Sequence, residues 1–220
     1  MLSFERQCWQ EGVRRLAGVD EAGRGPLAGP VVAGAVVFDR DFLEREEHGV
    51  LEGLTDSKKL SPARREFFYA LLTASPHVAI GVGVAQVDEI DSLNILRATH
   101  VAMARAVAAL PDPPDRILVD GLYVPGLPCP EIPIIKGDSR SLSIASASIV
   151  AKVVRDRRMV EMDAVYPEYG FAVHKGYGTQ AHIQALFEHG PSPIHRRTFR
   201  PVREAAEIRR RSGELRGTPP

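Results

Sequence analysis

Apolar runs of five to ten residues alternate with amphipathic stretches along most of the chain. "RLAGV" (15–19) reads as a strand and "GPVVAGAVVF" (29–38) as a second one after a Gly/Pro turn, so the two are expected to pair as a hairpin. Residues 39–60 read as an acidic loop ending in "DSKKLS". Ser61 followed by Pro62 marks a helix start, with Phe67, Phe68, Leu71 and Leu72 on its apolar face. In "HVAIGVGVAQV" the branched Val78, Ile80, Val82 and Val84 alternate with Ala79, Gly81, Gly83 and Ala85. That pattern predicts a strand with one bulky face and one face that another element approaches closely. A helix is expected over about 92–109, ended by "PDPP", then short strands at "RILVD" (116–120) and "EIPIIK" (131–136). "SLSIASASIVAKVVRDRRMVEMDAVY" (141–166) reads as one long helix with a small-residue first half, and a last helix covers about 179–189.

Three strands in succession, then strands interleaved with helices, predict an α/β domain with a mixed sheet of about five strands. The expected organisation is an N-terminal segment (1–14), a domain with a small helical appendage (15–203), and a polar, basic, flexible tail (204–220).

Composition narrows the function classes. Net charge is +0, yet residues 1–135 carry 13 basic and 19 acidic side chains and residues 136–220 carry 15 and 9. A basic portion beside an acidic centre suits a polyanion that meets a metal at its reacting point. Cys8 and Cys129 have no C-x-x-C spacing, which gives neither a disulfide framework nor a zinc site. The longest apolar run, "VVAGAVVF", is too short to cross a bilayer, and the N-terminus lacks a signal-peptide core. A soluble cytoplasmic protein is expected.

The candidate chemistry lies in acids at strand ends. Asp20 and Glu21 close the first strand, Asp120 ends "RILVD", and Asp138 follows the last strand in "IIKGDSR". Neighbouring strands would bring such carboxylates together, where they repel one another unless a divalent cation joins them. Oxygen ligands without Cys or helically spaced His favour Mg²⁺ or Mn²⁺ over Zn²⁺. Glu21 follows Asp20 directly and would face the other way on a regular strand, so it must sit at the turn to join them. Each acid alone reads equally as a turn or helix-start residue.

The segment "GRGPLA" matches the dinucleotide fingerprint G-x-G-x-x-G/A. A dinucleotide loop must open a helix, however, and here Pro26 and Pro30 interrupt the segment before it continues as a strand. Two carboxylates just ahead of the loop would also repel a diphosphate.

"GVDEAGRGPLAGPVVAGAVV", "DSKKLS", "ILVDG", "IIKGDSRSLSIASASIVAKVVRD", "YPEYGFAVHKGYGT" and "PIHRRTF" together resemble the ribonuclease HII family in order and spacing, over about residues 15–203. The resemblance implies the ribonuclease H fold, a mixed five-stranded sheet flanked by helices with a C-terminal helical segment. It implies an endonuclease that hydrolyses the RNA strand of RNA–DNA hybrids and nicks duplex DNA 5′ of an embedded ribonucleotide. The products would carry 3′-hydroxyl and 5′-phosphate ends. The family's catalytic and metal-binding acids fall on Asp20, Glu21, Asp120 and Asp138, which would hold two divalent ions, Mg²⁺ or Mn²⁺. Asp20 would bridge both.

Gly23, Arg24 and Gly25 would sense the 2′-hydroxyl, and Tyr177 would pack on the following deoxyribose. Ser57 and Lys58 become candidate contacts to the nucleic-acid backbone, with Lys152, Arg155, Arg196, Arg197 and Arg200 as further basic contacts. His174 and His195 are not needed as general bases, and His195 is assigned to the local fold. The expected partners are RNA–DNA hybrids and duplex DNA with embedded ribonucleotides, bound by a monomer without a membrane.

A sister nuclease, ribonuclease HIII, is the competing enzyme. It usually carries an extra N-terminal domain, and only about 15 residues precede the first motif here. A non-catalytic hybrid-binding module and a Mg²⁺-dependent enzyme of small phosphate esters are the other readings. The four acids count against the first, and Gly23–Gly25 with the basic half count against the second.

Overall fold

A computed structural model describes residues 1–216, with side chains through Arg211. Helix α1 (Ser3–Gln10) precedes strands β1 (Leu16–Ala22) and β2 (Val31–Phe38). Helices α2 (Arg40–Glu46) and α3 (Pro62–Ala74) lead to β3 (Val78–Ala85), then α4 (Val87–Leu93) and α5 (Ile95–Ala108). After β4 (Arg116–Asp120) and β5 (Glu131–Ile134) come a 3-10 turn at Gly137–Ser139 and the long α6 (Leu142–Val165). A second 3-10 turn (Pro167–Tyr169), α7 (Phe171–His174), α8 (Gln180–His189) and α9 (Arg200–Arg216) complete the chain.

The contacts divide the chain into two compact units. The first comprises Met1–Ala22, Val31–Ala85 and Thr99–Val154, and the second, among the described residues, Gly23–Pro30, Gln86–Ala98 and 155–216. This division cuts across the single domain expected over 15–203 and takes the N-terminal segment into the first unit.

The first unit holds the five strands in the order β3-β2-β1-β4-β5. The expected hairpin forms, with β1 antiparallel to β2 and β2 antiparallel to β3, while β1, β4 and β5 run parallel. Every residue of β2 is buried, as its unbroken apolar run requires of a strand covered on both faces. Glycines set how closely helices approach the sheet. A Cβ at Gly18 would lie 2.1 Å from the Ser143 carbonyl carbon, and one at Gly34 would lie 2.6 Å from the Ala147 oxygen. The small-residue half of α6 therefore lies directly on β1 and β2. Likewise Cβ atoms at Gly81 and Gly83 would each come within 2.0 Å of an α5 carbonyl, which identifies the close neighbour expected for that face of β3.

Three local expectations change. Residues 40–46 are helical inside the stretch read as a loop. The helix expected over 92–109 is broken at Asn94 (φ 71), whose side-chain oxygen accepts the N–H groups of Leu96 and Arg97 and so caps α5. On α3, Phe68 and Leu72 are buried but Phe67 is 49% exposed, with the Arg64 guanidinium over its ring.

In the second unit, Leu27, Leu186, Val202 and Ala205 form one apolar cluster and Ala28, Met159, Tyr169 and Phe171 another. Val202 and Ala205 lie three apart on α9, so the segment expected to be a flexible tail from 204 continues a helix to Arg216. Residues 217–220 lie outside the described residues. Among those described, no helix is long and apolar enough to cross a membrane.

Because Gly18 leaves no room between β1 and α6, Gly18→Ala should destabilise the protein by about 3 kcal/mol or more. Chemical denaturation measures this, and an unchanged midpoint would refute the close approach.

Candidate metal centre

Parallel pairing places the C-terminal ends of β1, β4 and β5 along one edge of the sheet. Asp20 lies opposite Gly34 of β2, one residue beyond the last pair of β1 with β4. Asp120 is the final residue of β4 and pairs with Ile134. Asp138 occupies the 3-10 turn after β5. There Lys136 turns the chain through a left-handed conformation (φ 55), and the Gly137 N–H donates to Asp120 Oδ1 at 2.6 Å. A Cβ at Gly137 would fall 2.5 Å from Ile144 Cδ1, so the glycine lets the turn sit close enough to bring Asp138 in.

One carboxylate oxygen from each of Asp20, Asp120 and Asp138 lies within 4.8 Å of the others. Asp20 and Asp138 are only 3% and 7% exposed. Burial first, then the charges of Glu21 and Asp120, hold Asp20 well above the ordinary carboxylate range. A hydrogen bond with the Ser148 hydroxyl and the Glu21 N–H at 2.7 Å offset this in part. Asp138 is raised by burial, Asp120 and Asp56, against the opposing charge of Lys58. Three hard oxygen donors gathered this closely fit a divalent cation, which would remove their repulsion, and they offer no nitrogen or sulfur to zinc.

Glu21 stands outside this group. β1 continues to Ala22, so Glu21 lies within the strand, opposite Ala33, rather than in the turn beyond it. Its charge still acts on both Asp20 and Lys58. Burial pulls the Lys58 ammonium down, but Asp20, Asp56, Asp138 and Glu21 outweigh it and raise it. Ser57 is turned inward at 3% exposure, its hydroxyl 2.9 Å from that of Ser148, so it supports the Asp20 surroundings.

Two participants escaped the sequence reading. Asp56 hydrogen-bonds Asp138 and also accepts the Lys58 N–H at 2.9 Å. Its signal was its place at the head of "DSKK". Ser148 was absorbed into the small-residue helix, where nothing in the pattern distinguished it from its neighbours.

The second unit brings together Gly23, Arg24, Gly25 and Tyr177. The Arg196 guanidinium donates to the carbonyls of Gly23 (2.5 Å), Arg24 (2.8 Å) and Gly29 (2.8 Å). Arg155 donates to those of Pro30 (3.0 Å), Ala28 (3.2 Å) and Lys175 (3.1 Å). Gly23 has φ 98, and a Cβ there would strike Arg155 Nε at 2.1 Å. A Cβ at Gly25 would sit 3.9 Å from Tyr177 Cε1, so the exposed Gly25 lies beside a ring that is itself 40% exposed. Arg155 and Arg196, expected to meet the duplex backbone, are 0% exposed and committed to loop carbonyls. Burial, then the Arg155 charge, lowers Arg196 to about 9, which leaves it protonated at neutral pH.

The raised Asp20 has a consequence for stability. A carboxyl raised on folding favours the folded state fully below its unfolded pKa, and that contribution is lost as pH rises through the folded pKa. Metal-free protein should therefore be strained at neutral pH. Asp20→Asn is expected to raise its melting temperature by about 2–4 °C. A thermal melt in chelator checks this, and a lowered melting temperature would contradict it.

Residues 17–202 match the family model described as Ribonuclease HII. The chain is 53% identical over 204 residues to a Ribonuclease HII of Chlamydia trachomatis serovar A, covering 93% of this chain and 90% of that protein. It is 55% identical over 203 residues to a Ribonuclease HII of Geobacter sulfurreducens, covering 91% and 89%. The crystal structure of the ribonuclease H2 from Pyrococcus horikoshii OT3 superposes with a TM-score of 0.74 at 32% identity, covering 89% of this chain and 99% of that one. The five-stranded mixed sheet flanked by helices is thus a ribonuclease H-like fold, and the chain belongs to the ribonuclease HII family.

Proposed function

We propose that Asp20, Asp120 and Asp138, with Glu21 beside them, hold two divalent ions, Mg²⁺ or Mn²⁺, and form the catalytic centre. The reaction is endonucleolytic hydrolysis of the RNA strand of RNA–DNA hybrids, as family membership implies. The finer reading adds nicking of duplex DNA 5′ of an embedded ribonucleotide, with 3′-hydroxyl and 5′-phosphate products. The observation that carries it is the group of three carboxylates within 4.8 Å.

Bound divalent ions would supply an activated water and stabilise the oxygens of an in-line displacement at phosphorus. The protein's part is to hold the donors. Asp120 is fixed by the Gly137 N–H, Asp20 by the Glu21 N–H and Ser148, and Asp138 by its turn. Lys58 is kept charged by the surrounding acids and offers a cation to a phosphate. In this reading the enzyme acts as a monomer.

In the second unit Gly23, Arg24 and Gly25 read the 2′-hydroxyl. Arg196 and Arg155 hold this loop by its carbonyls, and Gly25, with no side chain, leaves its backbone open to a sugar beside Tyr177. The Tyr177 ring then packs on the deoxyribose that follows.

The test is duplex DNA with one ribonucleotide, incubated with Mg²⁺ beside an all-DNA control and a hybrid with a long RNA stretch. A nick 5′ of the ribonucleotide is expected, with Asp138→Asn reducing the rate by roughly 10²–10³-fold. No cleavage of any ribonucleotide-containing duplex would overturn the reading.

A further inference from the structure

Two histidines of the second unit, His182 and His195, have no part in the chemistry above, yet their hydrogen bonds form a directed chain. His195 Nδ1 accepts the Ser192 backbone N–H at 3.0 Å and lies 2.8 Å from the Ser192 hydroxyl, which can donate to it as well. A backbone N–H can only donate, so this nitrogen is bare and the neutral ring carries its hydrogen on Nε2. That Nε2 lies 3.0 Å from His182 Nε2, which must then accept, leaving the His182 hydrogen on Nδ1. His182 Nδ1 is 2.9 Å from the Tyr177 carbonyl, a group that can only accept. The donor at one end and the acceptor at the other demand the same two tautomers. Protonating either ring would set two N–H groups against each other.

His174 reinforces the arrangement. Its Nδ1 accepts the Gly176 N–H at 3.2 Å, and its Nε2 lies 2.7 Å from the Tyr169 carbonyl, to which it donates. Its ring stacks on that of His182 with centroids 4.4 Å apart. His182 and His195 are both 0% exposed. Burial lowers both below the ordinary histidine range, to about 3 for His195.

The chain of bonds ends on a turn that needs support. Lys175 (φ 52) and Gly176 (φ 82) are both left-handed just before Tyr177. The Tyr177 carbonyl accepts from the Thr179 N–H at 2.8 Å as well as from His182, which fills both of its lone pairs. The main chain of Tyr177 is thereby fixed while its ring stays partly exposed beside Gly25.

We infer that His182, held in its Nδ1–H tautomer by His195 and Ser192, is a positioning residue that fixes the turn from which Tyr177 presents its ring to substrate. The inference rests on the reading of Tyr177 as a sugar contact, and it adds a specificity role for two buried histidines.

The experiment is steady-state nicking of a single-ribonucleotide duplex by His182→Leu, His182→Asn, Tyr177→Ala and the His182→Leu/Tyr177→Ala double variant. His182→Leu should raise KM about tenfold, the loss of one hydrogen bond, with a smaller change in kcat. His182→Asn, whose amide N–H can stand in for Nδ1–H, should recover most of that. In the Tyr177→Ala background His182→Leu should add less than about twofold, because both act through one contact. A full tenfold loss in that background, with Tyr177→Ala itself impaired, overturns the positioning role. A Tyr177→Ala variant as active as its parent overturns the reading of Tyr177 instead, and the inference with it. Imidazole nitrogen shifts of the unmodified chain give a readout independent of folding defects. Neutral His182 Nδ1–H and His195 Nε2–H at pH 7 are expected, and the opposite tautomers or a charged His182 would contradict the inference.

Discussion

Mutual repulsion among Asp20, Asp120 and Asp138 is the constraint around which the first unit is arranged. Free side chains would separate or take up protons. Here two parallel strands and a glycine turn hold the three carboxylates within 4.8 Å of one another. Each backbone anchor serves that end: the Gly137 N–H on Asp120, the Glu21 N–H on Asp20, and the left-handed Lys136 ahead of Asp138. Gly18 and Gly34 allow α6 to lie flat on the sheet, and this brings Ser148 to Asp20. The resulting strain favours cation binding, since a metal-free site is the less stable state.

The second unit uses cations where the first uses anions. Arg155 and Arg196 are buried charges that donate their hydrogen bonds to main-chain carbonyls. Such bonds restrain a loop that has little regular secondary structure of its own and leave Gly25 exposed. The Tyr177 turn is held by a different device, neutral histidines with complementary tautomers. In both places polar groups with few alternatives fix a backbone that strands or helices do not.

The sequence made much of this legible where the physics is local. Alternation in 77–87 located β3 and its crowded face, and Ser61-Pro62 located the start of α3. Acids at strand ends could be recognised because pairing of neighbouring strands then follows from topology. What stayed hidden depends on long-range burial. Arg155 and Arg196 look like surface cations in the sequence, and only the fold shows their heads turned to carbonyls. The length of β1 is set by its pairing with β2, which extends to Ala22 and so includes Glu21 in the strand. The break at Asn94 and the helix at 200–216 depended on a side-chain cap and on two buried apolar positions within a basic stretch.

The measurement that tests the central claim most directly is calorimetric titration of Mn²⁺ into the metal-free chain, repeated in buffers of different ionisation enthalpy. Asp20 and Asp138, raised by burial and then by neighbouring acids, must lose protons as the cation enters. Wild-type protein should therefore bind with proton release, and Asp20→Asn should bind far more weakly. Equal binding by both proteins with no proton release would contradict the account.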